Sequence, residues 1–174
     1  MGARGLYLAQ EAHIVNILPP VSGAGGKTCQ KFNMKNYAHA TVIIQLGVQA
    51  DPLAGISVLA SDNGSPENHS AIPFNLHVQE TAGAANDVLG PRLAEPSTGY
   101  APSGNSGIFY VLEIDADTLP YAGNQPPDSP PLSQSWIEVL LSDFSPASAS
   151  CLVSAIAILS GARYAEDQSP TVTS

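Results

Sequence analysis

The stretch NYAHATVIIQLGV, which runs from Asn36 to Val48, decides the fold of this chain. Apolar side chains occupy every second position of its second half: Val42, Ile44, Leu46 and Val48. Successive side chains of a β-strand point to opposite faces, so the alternation predicts a strand with one face in a core. The stretch contains no charged residue and no proline, which favours a central strand over an edge strand.

Other stretches of the chain have the apolar content expected of further strands. Three are predicted as partners of the central strand: Ile108–Asp115 (IFYVLEID), Trp136–Ser142 (WIEVLLS) and Cys151–Leu159 (CLVSAIAIL). Four more strands are predicted at Ala12–Leu18, Thr28–Met34, Ile56–Ser61 and Ala71–Gln79, with a short one within Asn86–Leu93. Almost no segment has a helical period, so the sequence predicts roughly eight strands and little helix.

Prolines and glycines mark the predicted ends of these strands. Pro19 and Pro20 are expected to stop the first strand, and Pro73 is expected to move its strand toward a sheet edge. The clearest turn is Asp62–Ser70 (DNGSPENHS), because Asn-Gly accepts a positive φ at low cost. Asp117–Ser135 holds five prolines, which predicts a long irregular loop that either lies against a partner or has no fixed structure.

Length and composition favour one turn-rich β domain. The chain has 174 residues and is 44% hydrophobic but only 12% charged, where about 25% charged is typical of globular proteins. Fifteen prolines and fifteen glycines argue against a helical bundle. The predicted fold is all-β, an antiparallel β-sandwich of jelly-roll type with irregular terminal arms. The predicted division is an N-terminal arm (1–11), a β-sandwich domain (12–160) and a C-terminal tail (161–174).

The charge of the chain bears on its partners. Six basic residues stand against fifteen acidic ones, for a net charge of −9. Proteins bind nucleic acid by neutralising phosphates with Lys and Arg, so we expect no nucleic-acid partner. No apolar run approaches the ~20 residues of a membrane helix, and the N-terminus lacks the apolar core of a signal peptide. We therefore expect no membrane partner and synthesis in a cytoplasmic compartment.

The motif GAGGKT at Gly23–Thr28 is similar to the end of a phosphate-binding loop. That loop needs GxxxxGK[ST] between a strand and a helix. Here the first glycine position holds Val21, and a strand is predicted to follow instead of a helix. We therefore expect no nucleotide cofactor.

Ionisable residues do not assemble into a recognisable catalytic or metal motif. None of the four histidines has metal-ligand spacing to another ligand: His13, His39, His69 and His77. On their predicted strands, His39 and His77 are expected to be structural, and His69 is expected in a solvated loop. Glu113, Asp115 and Asp117 (EIDAD) lack the glycine and final glutamate of a calcium loop, so turn and edge solvation is favoured.

Cys29 and Cys151 are the only cysteines. They predict two buried thiols, with a single disulfide as the alternative. No nucleophile–base pair or metal set is found, so the sequence predicts a protein that is not an enzyme and has no catalytic, cofactor-binding or metal-binding residues.

Four stretches together resemble a family of small structural proteins of tailed phages and prophages. They are YLAQEAHIVNILPPV (Tyr7–Val21), FNMKNYAHATVIIQLGV (Phe32–Val48), IFYVLEIDADTLP (Ile108–Pro120) and AIAILSGARYAEDQSPT (Ala155–Thr171). The resemblance implies a capsid cement or decoration protein that binds the outer surface of a shell of major capsid protein. It also implies a location on the virion exterior.

The resemblance, together with the predicted terminal arms and the long loop Asp117–Ser135, gives a set of candidate capsid contacts. They are Leu6, Tyr7, Leu8, Tyr121, Pro126, Pro127, Arg163 and Tyr164. The major capsid protein and further copies of the chain, as a homodimer or homotrimer, are the expected partners. Two other functions stay open at this point: a head–tail connector or tail component, and a carbohydrate-binding or adhesin sandwich.

Overall fold

Two antiparallel β-sheets share one hydrophobic core. The computed structural model describes residues 7–47, 53–62, 69–79, 88–102, 107–120, 134–144, 152–162 and 171–172. In this part of the chain the six-stranded sheet has the order β1 (His13–Ser22), β11 (Leu152–Ala162), β4 (Tyr37–Leu46), β9 (Phe109–Asp115), β7 (Phe74–Gln79) and β8 (Leu93–Glu95).

The second sheet has the order β2 (Lys27–Thr28), β10 (Trp136–Phe144), β5 (Leu53–Ser61) and β6 (His69–Ile72). A further short strand, β3 (Phe32–Asn33), pairs with β10 beyond β2. One turn of helix, α1 (Leu8–Glu11), precedes β1, and a 3-10 turn (Ala116–Thr118) follows β9.

The strand pairs are nested, which is the topology of a jelly roll. β1 pairs with β11, β2 and β3 pair with β10, β4 pairs with β9, and β5 pairs with β6, all antiparallel. Each pair lies inside the previous one along the chain, as when a long hairpin is wound into two sheets. The predicted all-β sandwich is confirmed, and β7 and β8 extend the first sheet beyond β9.

The central strand is where the sequence predicts it. β4 lies between β11 and β9, and four alternate side chains of β4 are almost fully buried: Ala40, Val42, Ile44 and Leu46. Val48, the last residue of the predicted alternation, lies outside the described residues. Burial of each large aliphatic side chain contributes about 1.5–3 kcal/mol to the hydrophobic stabilisation of the sandwich.

One predicted partner of the central strand lies in the other sheet. β9 and β11 flank β4 as expected, but β10, which contains the stretch from Trp136, pairs with β5. Its side chains Ile137, Val139 and Leu141 are buried in the same core as those of β4. Alternation shows that a strand has one buried face. Because both sheets of a sandwich bury one face in the same core, alternation does not show which sheet the strand joins.

Two prolines lie within a strand that they were expected to end. β1 continues through Pro19 and Pro20 as far as Ser22, so the prediction that the strand stops at Leu18 is wrong. β1 is an edge strand of the six-stranded sheet, and its pairing with β11 shifts register twice between Asn16 and Val21. Edge positions and bulges tolerate proline because no ladder hydrogen bond from its nitrogen is needed there.

A third proline separates the two sheets. Pro73 stands between β6 and β7, and the chain leaves one sheet and joins the other at that point. The single strand predicted over 71–79 is therefore wrong, and β7 lies between β9 and β8 instead of at an edge. The missing N–H of proline ends the first ladder, and its fixed φ suits the change of direction.

The segment before β4 also differs from the prediction. Instead of one strand over 28–34, β2 and β3 each pair with β10. Between them Cys29 is buried and free, and burial, with a smaller contribution from Glu138, raises the pKa of its thiol to about 12. This agrees with the predicted buried thiol, while Cys151 lies outside the described residues.

The C-terminal part of the chain returns to the sandwich. The Thr171 carbonyl accepts a hydrogen bond from the Asn33 amide at 2.8 Å, and Val172 forms a bridge with Phe32. Thr171 is buried and Val172 packs against the core. Two residues within the predicted tail thus contribute to the edge of the second sheet.

One glycine permits a close backbone contact across the second sheet. Gly99 has φ +90°, and a Cβ at this position would lie 2.5 Å from the carbonyl oxygen of Ile56. The next residue, Tyr100, exchanges two backbone hydrogen bonds with Ile56 at 2.8 and 2.9 Å. Glycine is needed here for both the positive φ and the space.

Tyr110 offers a test of the core. Its side chain is buried, its hydroxyl has no hydrogen-bond partner in the described part of the chain, and burial raises its pKa to about 12. An unsatisfied buried hydroxyl is unfavourable, so Tyr110→Phe should raise the free energy of unfolding by about 0.5–1 kcal/mol in a urea titration. Tyr100→Phe, on the half-buried ring 6.0 Å away, should change it little. A clear loss of stability in Tyr110→Phe would show that the hydroxyl is paired.

Candidate functional site

The outer face of the six-stranded sheet, which is turned away from the core, carries two adjoining features. One is a charged cluster on β4 and β9, and the other is an apolar stripe that crosses four strands. Both are built from alternate residues of their strands, whose side chains share one face as the pleat of a strand requires.

The charged cluster is formed by His39, Glu113 and Asp115. The register of β4 and β9 places His39 opposite Asp115 and Thr41 opposite Glu113. His39 Nδ1 lies 2.7 Å from an Asp115 carboxylate oxygen, and His39 Nε2 contacts Glu113. Thr41 donates its hydroxyl to the same Glu113 oxygen at 2.9 Å. The two carboxylates therefore hold the imidazole at both of its nitrogens.

This geometry favours the charged form of His39. Burial lowers the pKa of His39, but hydrogen bonds and charge interactions with Asp115 and Glu113 outweigh it, so the pKa lies above the ordinary 6.5. Only the imidazolium can donate from both ring nitrogens at once. The cluster is thus an internal ion network, with the His39 and Glu113 side chains about 30% exposed and Asp115 about half exposed.

The chemistry open to the cluster is limited. Among the described residues no group of three or more His, Cys, Asp or Glu side chains is arranged to hold a metal ion. The Thr41 hydroxyl donates to a carboxylate and not to the imidazole. An imidazolium already bound by two carboxylates is not poised to accept a proton from a nucleophile. The arrangement stabilises the sheet and sets local charge.

A small groove adjoins the cluster at the end of β9. It has a volume of about 170 Å³ and is lined in part by Asn75, Glu95, Glu113, Asp115 and Thr118. Apolar residues, among them Phe74 and Ala94, complete the lining. Its small size does not suit a drug-sized or sugar ligand, which needs several hundred Å³.

The apolar stripe crosses the centre of the same face. Its members come from β1, β11, β4 and β9: Ile14, Ile43, Val111, Ile156 and Ile158. Ile14 faces Ile158, Ile156 faces Ile43, and Ile43 faces Val111 across neighbouring strands. Ile14 is 47% exposed and Ile156 is 37% exposed, whereas Ile43 and Ile158 are half-buried and Val111 is buried. Exposed apolar side chains that adjoin one another mark an interaction surface more often than scattered ones do.

Two of the predicted capsid contacts lie in the described residues and point to solvent. Tyr7 is 60% exposed and Leu8 is 37% exposed, and α1 has no buried residue. The others lie outside the described residues: Leu6, Tyr121, Pro126, Pro127, Arg163 and Tyr164. The base of the long loop is closed, because the Gln134 amide donates to the Pro120 carbonyl at 3.0 Å.

Other residues singled out in the sequence have structural surroundings. Gly25 and Gly26 have positive φ, and Lys27 Nζ donates to the Ala24 carbonyl at 2.6 Å. The strand β2 follows instead of the helix that a phosphate-binding loop requires.

The histidines have structural surroundings. His77 Nδ1 donates to the Gly90 carbonyl at 2.9 Å, so His77 and His39 both have hydrogen-bond partners as expected. His69 begins β6, and its prediction as a loop residue is wrong.

The charged cluster is not predicted by the sequence pattern. The prediction of edge solvation for Glu113 and Asp115 is wrong, because β9 lies inside the sheet, where they face His39. A partial signal was present, since His39 and Thr41 on one strand and Glu113 and Asp115 on another are each two residues apart and so share a face. The pairing register that joins them is absent from the sequence pattern.

Fold and surface together define an all-β, jelly-roll sandwich with an apolar stripe on one sheet. No protein-family model matches the chain, and no curated protein matches it in sequence. Among solved structures it is similar to SPBc2 prophage-derived protein YomS, with a TM-score of 0.44 and 11% identity over 87% of this chain and 94% of that one. A likeness this low transfers neither function nor partner. Neither helix in the described residues is long and apolar enough to cross a membrane.

Proposed function

We propose that the protein is a structural component of a phage virion that decorates the outside of the capsid and stabilises its shell of major capsid protein. The sequence resemblance of four stretches, which follow one another in order from Tyr7 to Thr171, supports this role. A compact jelly roll provides a rigid body for such a task, and its arms provide the contacts. Segments that order on a partner can wrap a large surface at the cost of conformational entropy.

The N-terminal arm carries the proposal. Tyr7 precedes helix α1 and Leu8 is its first residue, so a large aromatic and a large aliphatic side chain are presented to solvent next to each other, and the helix buries none of its residues. Tyrosine combines apolar area with a polar hydroxyl and is enriched at protein interfaces for that reason. The adjoining residue, Leu6, belongs to the same predicted contact set.

The net charge agrees with an exterior position. At −9 the protein is repelled by the phosphate backbone of packaged DNA, and only six Lys and Arg residues oppose the fifteen acids. A protein that coats the outside of a DNA-filled shell has no need of phosphate contacts.

The number of copies per particle tests the role directly. Virions of the phage that encodes the chain would be purified, and the chain quantified against the major capsid protein by mass spectrometry. A ratio near one, or a simple fraction of it, is expected for a shell-wide decoration protein. A few copies per particle would indicate a head–tail connector or tail component, and absence from particles would refute a virion role and direct the search to glycan binding.

Substitutions in the arm test the contact itself. The double variant Tyr7→Ser, Leu8→Ser should lose binding to undecorated shells in a co-sedimentation assay while its thermal unfolding stays unchanged. Val88→Ser is the matched control, because Val88 is 71% exposed and lies two residues before Gly90, which bonds to Val78 of β7 on the far side of the sheet from β1. Point substitutions are preferable to removing the tail, since Thr171 and Val172 pack on β3 and the core. Full binding by the double variant would contradict the arm contact.

A further inference from the structure

We infer that the outer face of the six-stranded sheet binds the same face of a second copy, forming a twofold dimer with the apolar stripe at its centre. The stripe is the one defined above: Ile14, Ile43, Val111, Ile156 and Ile158. This inference does not depend on the virion role, because it concerns a different surface from the N-terminal arm.

The size of the face suits a stable dimer. The six strands have between three and eleven residues, 47 in all, and each strand residue covers about 16 Å² at about 3.3 Å rise and about 4.8 Å strand spacing. The flat area is therefore roughly 700 Å², close to the ~800 Å² per partner of a standard protein interface. The stripe lies on the central strands β11, β4 and β9 and on β1 next to them, where an interface places its most buried contacts.

The charge of the face permits a second copy to approach. Two chains of net charge −9 repel each other, so association needs a surface with little negative charge. No member of the stripe is ionisable. The carboxylates beside it, Glu113 and Asp115, both contact His39, whose pKa they raise, so that protonation of the imidazole offsets part of their negative charge. Like-charge repulsion across a twofold axis through the stripe is therefore small.

The edges of the six-stranded sheet do not offer an alternative route to self-association. β1 is interrupted by Pro19, Pro20 and two register shifts, and β8 has only three residues. Short edge strands, bulges and prolines protect a sheet from pairing with another chain through its edge. In the described part of the chain, the face is therefore a better surface for a second copy than either edge.

When one face of a chain binds the same face of a second copy, the assembly is complete as a dimer. In a twofold interface each residue meets its symmetry equivalent or exchanges partners with another member of the same patch. Ile156 near the centre would pack against the stripe of the other copy, with Leu152 at the margin of the same face. Burial of large aliphatic side chains then drives association.

Sedimentation equilibrium of the full chain tests the inference. The expected mass is twice 18.0 kDa at micromolar concentration. Ile156→Lys and Ile14→Lys should each weaken the dimer at least 100-fold, because a lysine in the stripe would be desolvated against an apolar surface. Leu93→Lys is the matched control, since Leu93 is 37% exposed, as Ile156 is, but lies on β8 away from the stripe.

Each outcome decides the inference. A monomer at all concentrations would overturn it and leave the face to a different partner, such as the capsid. A trimer, or a dimer that persists in both stripe variants, would also overturn it. Circular dichroism and thermal melts verify that each variant is folded. If Ile156→Lys does not fold, Ile14→Lys decides the result. Position 14 is on the edge strand β1, so the lysine side chain can extend into solvent in the monomer and the fold is kept.

Discussion

Replacing Ile44 with alanine is expected to lower the free energy of unfolding by about 3 kcal/mol. Ile44 is fully buried on β4, in register with Ala155 of β11 on one side and Tyr110 of β9 on the other. Truncation removes buried methylene and methyl groups and leaves a cavity that the two fixed neighbouring strands cannot close, and such changes typically cost 2–5 kcal/mol.

Gln45 provides the control on the same strand. It follows Ile44 directly but points to the outer face and is exposed, so Gln45→Ala should change the free energy of unfolding by less than about 0.5 kcal/mol. Urea titrations of the wild type and both variants, followed by the fluorescence of Trp136, would measure the difference. Equal effects at the two positions would show that β4 does not have the register described above.

The local pattern of the sequence was enough to predict the sandwich. The alternation from Val42 to Leu46 gave both the strand and its buried face, and the absence of proline and charge gave its central place. These features are local consequences of strand geometry, because the side-chain period of two is the same in every sheet. They therefore needed no knowledge of the partner strands.

Features that depend on pairing were not predictable in the same way. The stretch from Trp136 has the same pattern as the partners of β4, yet β10 pairs with β5. Pro19 and Pro20 would end a central strand. Because β1 is an edge strand, it continues through both prolines. Whether a proline breaks a strand depends on whether its neighbour needs the missing N–H, and this is a property of the sheet.

The charged cluster shows the same limit at the candidate site. His39 and Asp115 are 76 positions apart in sequence and meet only because β4 and β9 are paired in one register. A shift of one residue would turn His39 toward one face and the carboxylates toward the other. The residue types were therefore visible in the sequence, while their contact was not.

Replacing His39 with glutamine should remove a stabilising contribution that depends on pH. The pKa of His39 is raised in the folded protein above its ordinary value of 6.5. The charged imidazole therefore stabilises the fold fully below about pH 6.5, and this stabilisation is lost as the pH rises through the folded-state pKa. At pH 6 we expect His39→Gln to be less stable than the wild type by about 1.5 kcal/mol, a modest value because Asp115 is half exposed and the pair is screened.

The shape of the pH profile distinguishes the ion network from simple packing. The difference between wild type and His39→Gln, measured by urea titration from pH 5.5 to pH 9, should shrink as the pH rises. Thr41→Val is the matched control, since it removes the hydroxyl contact with Glu113 at 2.9 Å but leaves both ring contacts of His39 in place. That variant should keep the pH dependence of the wild type. A difference that stays constant or grows toward pH 9 would show that His39 is neutral in the fold and stabilises it only by packing.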